Sequence, residues 1–166
     1  YIIEMRTQYH KTFKAVLHNC PAGHEGIINF ANDNMKVGTK VYSTAEYSAR
    51  IAGILAGLPL NRSCTYYTLD EVESITESVT PDEDIDNGKL ILINDGTKIK
   101  IARGVNSLVK FDENKGKDFA KIKIVEAVDM IRDDIRTTFE DDFVGKVENS
   151  YDNKIIFIAA MNKYFT

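Results

Sequence analysis

Helices and strands alternate along this chain, the pattern of an α/β fold, and three local signals carry the reading. Residues 90–94 (LILIN) and 98–102 (KIKIA) are strand-like runs on either side of Asp95-Gly96-Thr97. Asp-Gly supports the positive backbone angles of a tight turn, so the two runs predict a hairpin. Ser43-Thr44-Ala45-Glu46 is a capping box, in which the Ser43 hydroxyl accepts from the Glu46 amide while the Glu46 side chain reaches back. Phe119, Ile122, Val125, Val128, Ile131 or Ile135, and Phe139 form one apolar stripe at helical spacing.

The remaining elements fall between these in order. Residues 1–12 read as the end of a helix, with Ile2, Met5 and Tyr9 recurring at steps of three and four. Residues 13–17 (FKAVL) resemble a strand, 19–23 (NCPAG) a turn, and 26–31 (GIINFA) a short buried strand. Asn32-Asp33-Asn34 is expected to close that strand as a turn, because these side chains imitate turn hydrogen bonds and tolerate left-handed backbone. The capped helix runs through Tyr47, Ile51, Ile54 and Leu55 and ends near Gly57, since Pro59 cannot continue it. Its other face carries Ala45, Ala49, Ala52, Gly53 and Ala56, for which tight packing within the domain is the favoured reading. Residues 65–69 (TYYTL) are β-prone. The acidic stretch 71–86, carrying Pro81, reads as a surface connection with one helical turn. In the hairpin the first strand is apolar on both faces and the second alternates, which puts the first inside a sheet and the second nearer an edge. A polar loop over 112–117 leads to the long helix, 149–153 form another turn, and 154–165 form a last, strongly apolar helix.

Composition narrows the function. The 166 residues are 43% hydrophobic and 28% charged, the balance of an ordinary globular protein large enough to bury a core without a staple. Acidic residues outnumber basic ones, 25 to 21, for a net charge of -4, which argues against nonspecific nucleic-acid binding. The longest apolar stretch, 51–60, is interrupted by Gly53, Gly57 and Pro59 and is too short to span a bilayer, which takes about 20 apolar residues. Cys20 and Cys64 stand in no metal-ligand spacing and read as reduced thiols, with a disulfide between them left open. The chain begins at Tyr1 and stops at Thr166 without a helix cap, so both ends look cut.

Candidate chemistry concentrates in 18–25 (HNCPAGHE), where His18, Cys20 and His24 are of zinc-binding type. Zinc needs three or four convergent ligands, which a flexible loop seldom supplies alone, so a turn between two strands is the favoured reading. A metal-dependent hydrolase using His18, Cys20 and His24 is the alternative. No Gly-x-Ser-x-Gly elbow appears. The pairs Asp133-Asp134 and Asp141-Asp142 are adjacent, so on a helix they point apart. Gly145-Lys146 lacks the glycine-rich loop of a nucleotide site. No residue is assigned to catalysis, to a cofactor or to a metal.

Three stretches together resemble the phage tail sheath family, particularly sheaths of clostridial and other Gram-positive phages, prophages and R-type bacteriocins. The first is 22–29 (AGHEGIIN). The second is 49–57 (ARIAGILAG), followed by 61–66 (NRSCTY). The third, and most specific, is 88–96 (GKLILINDG) leading into 101–108 (IARGVNSL). After it come 115–119 (KGKDF), 144–147 (VGKV) and Asn149. The family's usual form reads Arg-Gly-Val-Asn-Thr-Leu; here Ser107 replaces the threonine and keeps its hydroxyl.

The resemblance implies a mixed β-sheet flanked by helices, a subtilisin-like sheath core without catalytic residues, over residues 1–110 and truncated at its N-terminus. It implies the beginning of a C-terminal α+β sheath domain over 111–166, truncated before the arm that links neighbouring subunits. The implied function is that of a non-enzymatic structural subunit that polymerises helically around an inner tube and contracts to drive the tube through a cell envelope. Its implied partners are neighbouring sheath subunits, the inner tail tube protein, and baseplate and tail terminator proteins, with no nucleic acid and no membrane insertion. The implied location is a virion tail or phage-tail-like particle assembled in the host bacterial cytoplasm. The acidic groups at 82–86 and 140–142 and the basic set Lys115, Lys117, Lys121 and Lys123 read either as contact surfaces between copies or as ordinary solvated surface.

Overall fold

The computed structural model describes residues 1–166, which divide into two compact units, Tyr1–Ala127 and Val128–Thr166. The elements in order are α1 (Ile2–Thr7), β1 (Ala15–His18), β2 (Ile27–Phe30), β3 (Asp33–Val37), β4 (Lys40–Tyr42) and α2 (Thr44–Gly57). They continue with β5 (Ser74–Thr76), α3 (Pro81–Asp86), β6 (Lys89–Leu90), β7 (Leu92–Asn94) and β8 (Ile99–Ile101). A 3₁₀ turn (Lys117–Ala120), α4 (Ile122–Asp142) and α5 (Tyr151–Tyr164) complete the chain. Helices and strands are mixed, as the α/β reading requires.

The strands are shared among three small sheets. β1, β2 and β6 are parallel, with β2 in the middle. β4, β3 and β5 form an antiparallel sheet, and β7 with β8 a hairpin. All four residues of β2 are buried, which explains its apolar run: a central strand covered on both faces does not alternate. The hairpin's first arm is divided between sheets, because Lys89 and Leu90 pair with β2 whereas Leu92–Asn94 pair with β8. Its apolar character on both faces follows from that double duty.

The core lies in the first unit, where Ile28, Phe30, Met35, Tyr47, Ile51, Leu69, Leu90, Leu92, Ile101 and Ile122 pack as one cluster. Helix α2 contributes Tyr47, Ile51, Ile54 and Leu55 from one face. Its capping box forms as expected: Ser43 Oγ accepts from Glu46 N, and the Glu46 carboxylate accepts from Ser43 N at 2.9 Å. The small-residue face differs from expectation. Ala45, Ala49, Gly53 and Ala56 are exposed, and nothing lies within 4 Å of where a Gly53 Cβ would stand. One packed face suffices to hold the helix, so of the five small residues only Ala52 is even half-buried.

Two further expectations are corrected. Asn32-Asp33-Asn34 does not form a turn: Asn32 precedes β3, and Asp33 and Asn34 open it, with one extra residue opposing β5 between Asp33 and Lys36. Asn34 takes a left-handed φ of 56° there, as a bulge residue does. Residues 65–69 are not a regular strand but run antiparallel beside β8, with one bridge, Thr68 to Lys100. Backbone hydrogen bonds run from Tyr66 N to Ile101 O at 2.8 Å, Ile101 N to Tyr67 O at 3.0 Å and Leu69 N to Ile99 O at 2.9 Å. β7 takes one edge of β8 and this segment the other, while the left-handed backbone of Tyr66, at φ 58°, keeps it from being a regular strand. Both cysteines are free thiols.

Asn32 is 3% exposed and ties the sheets together. Its Oδ1 accepts from Leu92 N, and its Nδ2 donates to Thr76 O at 3.1 Å and Leu92 O at 3.2 Å. Asn32→Ala leaves those backbone groups without their partner and is expected to lower unfolding stability by roughly 2–4 kcal/mol in urea denaturation. Asn32→Asp keeps the acceptor but sets a carboxylate against two carbonyls, so it is expected to cost at least as much. Wild-type stability in Asn32→Asp would show that the amide's donor half is idle.

Candidate functional site

The loop from His18 to Glu25 does not assemble a metal shell. His18 ends β1 with its side chain exposed, level with Phe30 on the neighbouring strand. Cys20 is half-buried, and its amide donates to Asn29 Oδ1 at 2.7 Å. His24 is buried, and its Nδ1 accepts from Gly26 N at 3.0 Å. No group of three or more His, Cys, Asp or Glu side chains is placed to hold a metal ion. The three residues of the hydrolase alternative are drawn to separate local tasks, and that reading is not supported.

His24 is instead part of a buried polar seam. Ser107 Oγ donates to His24 O at 2.9 Å and accepts from His24 N at 3.2 Å, so the hydroxyl binds the histidine's backbone and not its ring. Beside it, Glu25 Oε1 accepts from Lys115 Nζ at 2.8 Å, joining 22–26 to the loop before the 3₁₀ turn. Because Nδ1 is an acceptor, the ring proton sits on Nε2, where it is buried without a partner. Burial lowers the His24 pKa below its usual value of 6.5, outweighing the opposite pull of Glu25, with Lys115 and Arg6 reinforcing the drop. Burial also opposes ionisation of Glu25, but the hydrogen bond from Lys115 prevails and holds its pKa down.

The run Arg103-Gly104-Val105-Asn106-Ser107-Leu108 owes most of its residues to packing. An added Cβ on Gly104 would come within 2.6 Å of Cys64 Sγ, so only glycine lets the two segments meet. Asn106 is fully buried; its Nδ2 donates to Phe119 O at 2.7 Å and its Oδ1 accepts from Leu108 N at 3.0 Å. Gly88, at φ 73°, passes against the Asn106 carbonyl, where a Cβ would sit 2.9 Å away. Arg103 is the exception, an exposed side chain with no ion pair or hydrogen bond inside the chain. It borders a cleft of about 620 Å³ together with Tyr66, Phe111, Lys117 and Lys121. In the sequence Arg103 and Tyr66 are visible only as members of the runs 101–108 and 61–66; nothing there marks an unpaired guanidinium or the left-handed φ of 58° at Tyr66.

Of the basic set expected to face partners, Lys115 is held by Glu25, Lys121 by Asp118 at 2.7 Å, and Lys123 by Pro59 O at 3.0 Å. Lys117 carries no such partner. Among the acidic groups, Asp84 binds Lys89 at 2.6 Å and Ser78, while Glu140, Asp141 and Asp142 are exposed at the end of α4.

In the second unit, Phe139, Phe143 and Phe157 form an aromatic cluster with centroids 5.0 to 6.0 Å apart. α5 starts on a Ser150 cap, and Tyr164 Oη donates to Asp134 at 2.7 Å. Ile155, Ile156 and Ile158 remain exposed at 44%, 57% and 46%.

Comparison with known proteins places this architecture. Residues 114–166 match the family model of the phage tail sheath C-terminal domain. Over 168 aligned positions the chain is 39% identical to the tail sheath protein of Clostridium phage phiCD119, covering all of this chain and 47% of that protein. The sheath tail protein of Listeria innocua superposes with a TM-score of 0.89 at 23% identity, over 99% of this chain and 40% of that one. The contracted helical sheath of the anti-feeding prophage gives 0.68 at 14% identity, over 98% of this chain and 48% of the other. The two structural likenesses are likenesses of fold. The chain spans just under half the length of the phiCD119 relative it matches.

Two outcomes test the seam and the run. Since the folded state holds His24 neutral and the unfolded chain does not, stability is fully present above about pH 6.5 and is lost as pH falls from there toward the lower folded pKa. Chemical denaturation between about pH 7.5 and 5.5 is expected to show that decline, and His24→Asn to flatten it; an unchanged slope in the variant would exclude His24 as the source. Gly104→Ala is expected to cost about 1–3 kcal/mol through the Cys64 clash, and less in a Cys64→Ala background. Strictly additive costs would assign the penalty elsewhere.

Proposed function

Because this chain belongs to the phage tail sheath family, we propose that it forms the adjoining parts of two domains in a structural subunit of a contractile sheath. The whole subunit polymerises helically around an inner tube and contracts to drive the tube through a cell envelope. The observation that carries this reading is the 39% identity to a phage tail sheath protein along the full chain. Likeness of fold to a helical sheath in its contracted state supports it.

The physics of such a device suits what the chain contains. Heterologous contacts between identical copies build an open helix when the rotation does not close on itself. Contraction is then rigid-body rearrangement between two packings of folded bricks. Energy stored during assembly needs no nucleotide site and no nucleophile. We accordingly assign the chain no catalytic role; the binding of Ser107 to the His24 backbone supports that assignment.

In this reading residues 1–110 belong to the sheath core domain and 111–166 begin the C-terminal domain. The family match starting at residue 114 supports the division. The exposed isoleucines of α5 support its burial against further polypeptide in the larger assembly, since a helix apolar around much of its circumference is ordinarily a covered one. The partners are neighbouring sheath subunits, the inner tube protein, and baseplate and terminator proteins. The location is a virion tail or tail-like particle, assembled in the host cytoplasm. No helix of the structure is long and apolar enough to cross a membrane.

Negative-stain microscopy of the full-length protein tests the proposal. Tubes or polysheaths are the expected outcome across a range of salt concentrations. Dispersed monomers under all of them would overturn it.

A further inference from the structure

The run 103–108 leaves one residue unexplained by packing, and that residue opens onto a cleft. Arg103 lines the cleft of about 620 Å³ in the first unit, and Lys117 lines it too. Neither cation has an ion pair or side-chain hydrogen bond within the chain. Lys121, bound to Asp118, adds to the positive lining, against a single lining carboxylate, Asp86. Tyr66 forms part of the wall, 65% exposed as a residue and with its backbone at φ 58°. A bulky residue held in that conformation with its side chain in solvent is strained, and strain of this kind gathers at binding sites.

The opposite character occurs once in the second unit. Glu140, Asp141 and Asp142 follow one another in the last turn of α4, a turn that has no basic residue. The helix dipole is negative at that end, so three carboxylates there repel both it and each other. Lys146 Nζ reaches the Asp141 carbonyl and closes the helix end, but the three carboxylates take no hydrogen bond or ion pair.

We infer that the cleft bordered by Tyr66, Arg103 and Lys117 receives the acidic end of α4, residues 140–142, from a second copy of this chain. This rests on the sheath reading and specifies one of its contacts. The arrangement is heterologous: each copy offers a basic cleft to one neighbour and an acidic helix end to another, the condition for an open-ended array. Two unpaired cations meeting unpaired carboxylates in a concave site fix register, because a guanidinium fork accepts a carboxylate in a defined orientation. Tyr66 supplies an amphipathic wall that shields the contact from solvent.

The test uses the full-length protein in three variants: Arg103→Glu/Lys117→Glu, Glu140→Lys/Asp141→Lys, and all four changes together. Polymer is measured by pelleting and negative stain, and the fold by thermal unfolding. Each reversed pair is expected to reduce the pelleted fraction about tenfold with little change in melting, and the fourfold variant to regain it. Should a reversed pair melt early, Arg103→Gln/Lys117→Gln replaces it, with a smaller loss expected. Wild-type tubes alongside an unimpaired cleft variant, or no recovery in the fourfold variant, would overturn this contact while leaving the sheath reading standing. A wild-type protein that makes no tubes would overturn the sheath reading and this contact with it.

Discussion

The larger unit depends on one buried carboxamide. Its sheets have three, three and two strands, none longer than five residues, and sheets of that size gain stability only by packing on one another. Asn32 stands where they meet. It follows the central strand of the parallel sheet, binds the last residue of β5 in the second sheet, and brackets the first residue of the hairpin. A polar group so deeply placed is tolerated because both its donor and its acceptor are used. Around it the apolar side chains of β2, β7, β8 and α2 close into a single cluster, and every surface feature is positioned from that cluster outward.

The segment after the hairpin shows how a rigid backbone presents an external group. Glycine at 88 and 104 admits close approaches, Asn106 satisfies the backbone on both sides, and Ser107 fastens the run to His24. Those anchors leave Arg103 with a fixed base and a free head. The division of labour within six consecutive residues is the reason a short run can be both architectural and exposed.

Much of this was legible in the sequence, and the misses have physical causes. Ser43 to Glu46 is a local code: cap and partner lie three residues apart, so no tertiary knowledge is required. The same holds for Asp95-Gly96, where Asp95 Oδ1 accepts from Thr97 N and Lys98 N to form the turn. Asn32-Asp33-Asn34 misleads because turn residues and bulge residues have the same chemistry, and only the distant partner Thr76 decides between them. Residues 65–69 do find the open edge of β8, but the left-handed backbone of Tyr66, which no sequence pattern marks, keeps them from forming a regular strand. At the cleft, sequence picked out Lys117 within a basic group, yet three of its four members are engaged inside the fold, and Arg103 lay outside the group altogether.

The parallel sheet also constrains the order in which this polypeptide becomes structured. Asn32 and Leu92 are 60 residues apart, and β6, which covers the second edge of β2, lies just before Leu92. During synthesis β2 therefore emerges from the ribosome well before the strand that flanks it, with a buried-type edge open to other chains. Closing a loop of that span is slow beside forming the capped helix or the hairpin, both of which rely on near neighbours. That interval is when nascent chains are exposed to mispairing, and early formation of α2 beside β1 shortens the list of surfaces left open.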